Sequence, residues 1–153
     1  MKIAIGSDHG GFELKEKIRS LLIGLEHDVR DLGCYSPDSV DYPIQGREVA
    51  KSVASGQCER GVLICGTGIG MSIVANRITG VRATLCHDLF TAEMSREHND
   101  SNILCMGGRV IDPELAEEMV KVWLMTPFKG GRHSRRINMI DSLEYENDSF
   151  EAH

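Results

Sequence analysis

The sequence predicts an α/β fold: a five-stranded parallel sheet between two layers of helices, with a helical extension at the C-terminal end. Three observations predict it. Short apolar runs alternate with stretches of helical periodicity along the 153 residues. Runs such as "VLIC" (62–65) are continuously apolar, as strands buried on both faces are. Strand–helix units in series close into a parallel sheet covered on both sides.

"KIAIG" (2–6) is the first strand. "FELKEKIRSLLIGL" follows, with Phe12, Leu14, Ile18, Leu21, Leu22 and Leu25 near helical spacing. "HDVRDLG" makes a short second strand, and "CYSPDSVDYP" carries turn chemistry in its prolines, serines and aspartates. Residues 44–55 read as a helix ended by Gly56. "VLIC" is the third strand, and a helix begins near Met71. Val81 to Cys86 is the fourth strand, "LFTAEMSRE" the next helix and "NILCMGG" the fifth strand. "DPELAEEMVKVWLM" opens with Asp112 as N-cap and Pro113 at the first helical position. "TPFKGGRHSRRINMIDSL" leads into a short final helix. Residues 1–142 form one domain, and 143–153 are expected to be an acidic, mobile tail.

A net charge of −6 argues against general affinity for nucleic acid, so an anionic substrate needs a local basic cluster. No apolar run is long enough to span a bilayer. The N-terminal apolar patch is too short for a signal-peptide core, which points to a cytoplasmic protein. Five cysteines without a C-x-x-C pair suggest neither a disulfide framework nor a dedicated metal site.

In such a fold ligands bind beyond the carboxyl ends of the strands. "SDHGG" (7–11), "GTGIG" (66–70), "HDLF" (87–90) and "GGR" (107–109) lie there. The glycine loop fails as a dinucleotide fingerprint, since Met71 and Ile73 stand where small residues are needed. It lacks the P-loop lysine, and Met71 stands where a cysteine phosphatase has its arginine. Gly66, Gly68 and Gly70 let the main chain approach a ligand, and the intervening Thr67 and Ile69 add further amides. Those amides suit a phosphate or an oxyanion formed during reaction. Cys65 adjoins them, and amides at a helix start favour a thiolate. A thiolate there could attack a carbonyl or remove a proton beside one. Thr67 offers a hydroxyl that donates and accepts.

His9, beside Asp8, is a turn residue or a ligand-binding one. His98 is a helix cap or an acid–base group, in a polar run with Asn99, Asp100 and Asn102. His27 and His153 read as solvated, and His87 stays ambiguous. "FKGGRHSRR" packs Lys129, Arg132, His133, Arg135 and Arg136 together, with Arg132 and Arg136 one helical turn apart as a phosphate fork. Arg109 is a further candidate.

"GSDHGG", "DYP", "ICGTGIGMSIVAN", "SREHNDSNIL" and "FKGGRHSRRI" together resemble the ribose-5-phosphate isomerase B family. It lies within a wider group that includes galactose-6-phosphate and allose-6-phosphate isomerases. The resemblance runs from about residue 1 to about residue 142, with the motifs in the family's order. It implies a Rossmann-like domain acting as a homodimer or homotetramer, with the active site between subunits and no metal or organic cofactor. It implies interconversion of ribose 5-phosphate and ribulose 5-phosphate in the pentose phosphate pathway. By resemblance, Cys65 is the general base, His98 the ring-opening acid, and Thr67 the group that moves protons between two oxygens. Asp8, His9, Gly66 through Gly70 (Thr67 and Ile69 included) and Asn99 correspond to substrate-binding residues. Arg109, Arg132 and Arg136 correspond to substrate and phosphate contacts. The tail departs from the family pattern. The rival readings are a hexose-phosphate isomerase of the same family, a non-catalytic sugar-phosphate sensor, and covalent thiol chemistry.

Overall fold

The computed structural model describes residues 1–151, with side-chain surroundings described through residue 143. Five strands alternate with helices: β1 (Lys2–Ser7), α1 (Phe12–Gly24), β2 (Asp28–Asp31), α2 (Tyr42–Ala54), β3 (Arg60–Cys65), α3 (Ile69–Ala75), β4 (Ala83–Leu85), α4 (Leu89–Glu97), β5 (Ile103–Gly107), α5 (Pro113–Met125) and α6 (Arg132–Glu151). All pairings are parallel, in the order β2-β1-β3-β5-β4. Among the described residues no helix is long and apolar enough to cross a membrane.

The continuous apolar runs are explained by two cores, one on each face. Side chains alternate across a strand. Ile3 and Ile5, Val62 and Ile64, and Leu104 and Met106 therefore meet Leu14, Ile18 and Leu22 of α1 and Met119, Val120 and Trp123 of α5. Ala4, Leu63, Cys65, Ile103 and Cys105 point the other way, against Val49 and Ala50 of α2 and Met71 and Ala75 of α3. Cys65 therefore belongs to the α2–α3 face. Trp123 has no exposed surface, and its indole N–H donates to Ser101 Oγ at 3.3 Å. That bond satisfies the one polar atom of a large buried ring.

Strand order creates the crevice. From β1 the chain moves outward to β2, then returns to build β3 on the other side of β1. The loop after β1 turns towards α1 on one face, and the loop after β3 turns towards α3 on the other. Loops that part in this way leave a cleft at the carboxyl ends.

Several boundaries differ from the sequence expectation for identifiable reasons. α2 starts at Tyr42 because Pro43, at the first turn, needs no N–H partner there. α3 starts at Ile69, earlier than Met71, because Gly68 caps it in the left-handed region at φ 79°. β4 keeps only Ala83–Leu85 of the expected strand, as befits an edge paired on one side. Asp112 occupies the N-cap of α5 but makes no side-chain capping bond. The final helix is longer than expected, at 20 residues, and carries the backbone of the expected tail as far as Glu151. Ala152 and His153, the end of that tail, lie outside the described residues.

Candidate active site

Three neighbouring strands, β1, β3 and β5, deliver three loops to one place. The Asp8 N–H donates to the Ile64 carbonyl at 3.2 Å. On the other side, Gly108 N–H donates to the Cys65 carbonyl at 2.8 Å and Arg109 N–H to the Gly66 carbonyl at 3.0 Å. The loops pack too closely for side chains: a Cβ on Gly11 would sit 2.4 Å from the Ile64 carbonyl oxygen.

Cys65 ends β3 and is 5% exposed. Its Sγ accepts the Gly68 N–H at 3.1 Å. An N–H aimed at sulfur solvates the thiolate form. The glycine is required there: a Cβ would lie 2.6 Å from Leu85 and 2.8 Å from the Met106 carbonyl carbon, in a left-handed conformation. Gly68→Ala is expected to cost at least ~2 kcal/mol of stability, from backbone strain and overlap together. Thermal unfolding would show it as a lowered midpoint. An unchanged midpoint would mean that the loop is not held this tightly.

Thr67 is exposed, and its Oγ1 accepts the Ile69 N–H at 3.3 Å, leaving its own hydroxyl proton available. The Ile69 side chain faces outward, 51% exposed, so only its main chain takes part. Gly70 packs against the ring of Tyr42, where a Cβ would approach within 2.7 Å.

Asp8 is nearly buried and caps the single 3₁₀ turn His9–Gly11, accepting the Gly11 N–H at 3.1 Å. His9 Nδ1 accepts the Val40 N–H at 3.3 Å. A neutral His9 then carries its proton on Nε2, free to donate to a ligand. The segment that supplies Val40 is tied down by Lys15. This fully buried lysine holds both Asp31 carboxylate oxygens at 2.9 Å and the Cys34 carbonyl at 2.5 Å. A cleft of about 260 Å³ opens between His9, Glu13, Pro37 and Arg109. A larger one, about 650 Å³, lies by Arg30, Glu48, Lys51 and Gln57, away from these loops.

The remaining expected residues form a second cluster. His98 follows α4, and its ring stacks on His133 with centroids 4.3 Å apart and planes 10° from parallel. Asn99 is exposed beside it, as are Arg132 and Arg136 on the first turns of α6. Burial, then the positive charges of His98, Arg132, Arg136 and Lys129, hold the His133 imidazole below its usual range, which favours the neutral ring. Lys129 pairs with Glu97 at 2.5 Å.

The two clusters lie at opposite ends of the sheet. Cys65 and Gly107 pair at its carboxyl end. α4 runs back from the end of β4, so His98 arrives at the amino end, just before β5 begins at Ile103. The length of β5, about 17 Å, lies between them.

A family profile described as Ribose/Galactose Isomerase matches residues 3–140. The chain belongs to this family. It is 45% identical to ribose-5-phosphate isomerase B of Escherichia coli over 143 residues, covering 94% of this chain and 96% of that protein. Its fold matches a structure described as ribose-5-phosphate isomerase B of Clostridium thermocellum, with a TM-score of 0.95 and 49% identity over 96% of this chain and 99% of that one. A ribose 5-phosphate isomerase structure from Thermotoga maritima matches with a TM-score of 0.90 and 52% identity, over 92% and 97% of the two chains.

Within the family frame, the first cluster gathers Asp8, His9, Cys65 through Gly70 and Arg109, as the motifs suggested. Tyr42, which the "DYP" motif contains without a role assigned to it, and Pro37 also line this region. For Pro37 the only signal was its place in a turn-rich segment, "CYSPDSVDYP". The His98–His133 stack had no signal at all, because 35 residues separate the two in sequence. Burial pushes the Cys105 thiol far above its usual range and raises that of Cys86, which keeps both neutral.

Proposed function

We propose that the chain is an aldose–ketose isomerase that interconverts ribose 5-phosphate and ribulose 5-phosphate, with Cys65 as the base. One observation carries the reading. In a member of this family, Cys65 at the carboxyl end of the central strand β3 accepts the Gly68 N–H, in a loop whose Gly66 carbonyl takes the Arg109 N–H.

The Cys65 thiolate takes the proton from carbon 2 of the open-chain aldose. Electrons move into the carbon 1–carbon 2 bond, and the carbonyl oxygen becomes the oxyanion of an enediolate. Amides of the Gly66–Gly70 loop face that charge, where fixed donors act most strongly. Thr67 passes a proton between the two oxygens. The Cys65 proton returns to carbon 1 and completes the ketose. His98 donates and accepts the protons that open the sugar ring. His9, Arg132 and Arg136 hold the phosphate, and Asp8, Asn99 and Arg109 orient the hydroxyls.

The opposed clusters support a site completed by a second copy, which brings its His98, Asn99, Arg132 and Arg136 to Cys65 of the first. Ile44, Ile69 and Ile73 are about half exposed beside the glycine loop, an apolar face suited to a close partner. The assembly is therefore a homodimer or a homotetramer.

The test is conversion of ribose 5-phosphate by the pure protein in EDTA-containing buffer, with allose 6-phosphate compared by kcat/KM. Turnover with the pentose preferred is the expected result. Binding without turnover would favour a sensor. A preference for the hexose would move the chain to the hexose-phosphate branch of its family.

A further inference from the structure

His98 and Asn99 leave α4 through a left-handed turn at Asp100, where φ is 46°. The Asp100 N–H returns to the Arg96 carbonyl at 3.2 Å, closing the helix. This is a place for glycine, because any Cβ is strained there. The chain accepts the strain and uses the carboxylate. Its two oxygens take Arg96 Nη1 at 2.9 Å and Arg82 Nη2 at 3.1 Å, while the Asp100 carbonyl takes Arg82 Nε at 3.0 Å.

Both arginines extend the grip. Arg96 is buried and also donates to the Ser101 carbonyl, at the start of the next strand segment. Arg82 reaches Asp141 of α6 at 3.8 Å. The same α6 carries His133, whose ring lies on His98. Asp100 thus sits where the end of α4 is joined to the helix that bears the basic cluster.

We infer that Asp100 is a positioning residue of the isomerase site: gripping Arg82 and Arg96 from a left-handed turn, it fixes the His98 ring against His133. The inference rests on the reading of His98 as the ring-opening acid. A charge-assisted pair on each carboxylate oxygen resists rotation of the turn. Without it, His98 would keep its chemistry but lose its direction, and small misplacements of an acid are costly in rate.

The experiment is a double-mutant cycle on ribose 5-phosphate with Asp100→Gly, Asp100→Asn, His98→Ala and the two combinations. Glycine keeps the turn and removes the carboxylate; asparagine keeps the turn and one acceptor oxygen. Asp100→Gly is expected to lower kcat by about tenfold, with asparagine recovering part of the loss. In the His98→Ala background neither substitution should lower kcat further. A lowered thermal midpoint with wild-type kcat, or losses that multiply in the His98→Ala background, would overturn the inference. Wild-type kcat in His98→Ala itself would instead overturn the acid role on which it rests. If the glycine variant does not fold, the asparagine cycle decides by the same criterion.

Discussion

Cys65→Ala is expected to lower kcat for ribose 5-phosphate by roughly 10³-fold, within the span that positioned acid–base groups supply. The expectation follows from location. Cys65 is the thiol at the strand ends that accepts a main-chain N–H, through Gly68. Cys105 lies two residues before the strand end, fully buried, and its thiol is held neutral. Cys65→Ser separates structure from chemistry. A serine oxygen can still accept the Gly68 N–H and keep the loop folded, yet a hydroxyl is a far weaker base source at neutral pH. Both variants should unfold close to the wild-type midpoint and both should be nearly inactive. Cys58→Ala is the control. Cys58 lies before β3, at the other end of the sheet, where it accepts only the Ser52 hydroxyl at 3.2 Å. It should retain full turnover. A Cys65→Ala protein with wild-type kcat would end the proposed mechanism, whatever the substrate.

The second large effect concerns a mixture. Cys65→Ala and His98→Ala should each keep only a small residual kcat alone. After dissociation and reassociation of equal amounts, about a quarter of wild-type activity should return. Half of the dimers are then hybrids, and each hybrid holds one site with both Cys65 and His98 intact. The physical basis is the sheet itself. The two residues sit at opposite ends of strands roughly 17 Å long, too far apart for one sugar phosphate to touch both within a chain. Native mass spectrometry would confirm that hybrids form. Hybrids without activity would show that each chain completes its own site by movement.

Much of this was legible in the sequence, and the limits were physical. Continuous apolar runs marked β1, β3 and β5, because strands covered on both faces tolerate few polar side chains. Proline and glycine marked helix ends, though Gly68 caps α3 so that it starts two residues earlier than apolar spacing alone suggested. Edge strands were weaker signals. β4 shrank to three residues because one flank has no partner to extend its ladder. The long α6 was hidden by its composition, which is polar nearly all round.

The sequence alone determined the kind of fold, the loops that follow its strands, and the place of Cys65 next to the glycine loop. Those are local properties, set by periodicity and by which residues can adopt a left-handed turn. Only the tertiary structure decided which loops meet. The order β2-β1-β3-β5-β4 brings "SDHGG", "GTGIG" and "GGR" together although nearly a hundred residues separate the first from the last. It also sends His98 to the far end of the sheet and lays His133 upon it. Strand order follows from how two cores and their crossovers pack, a sum over distant contacts that no single stretch of chain contains.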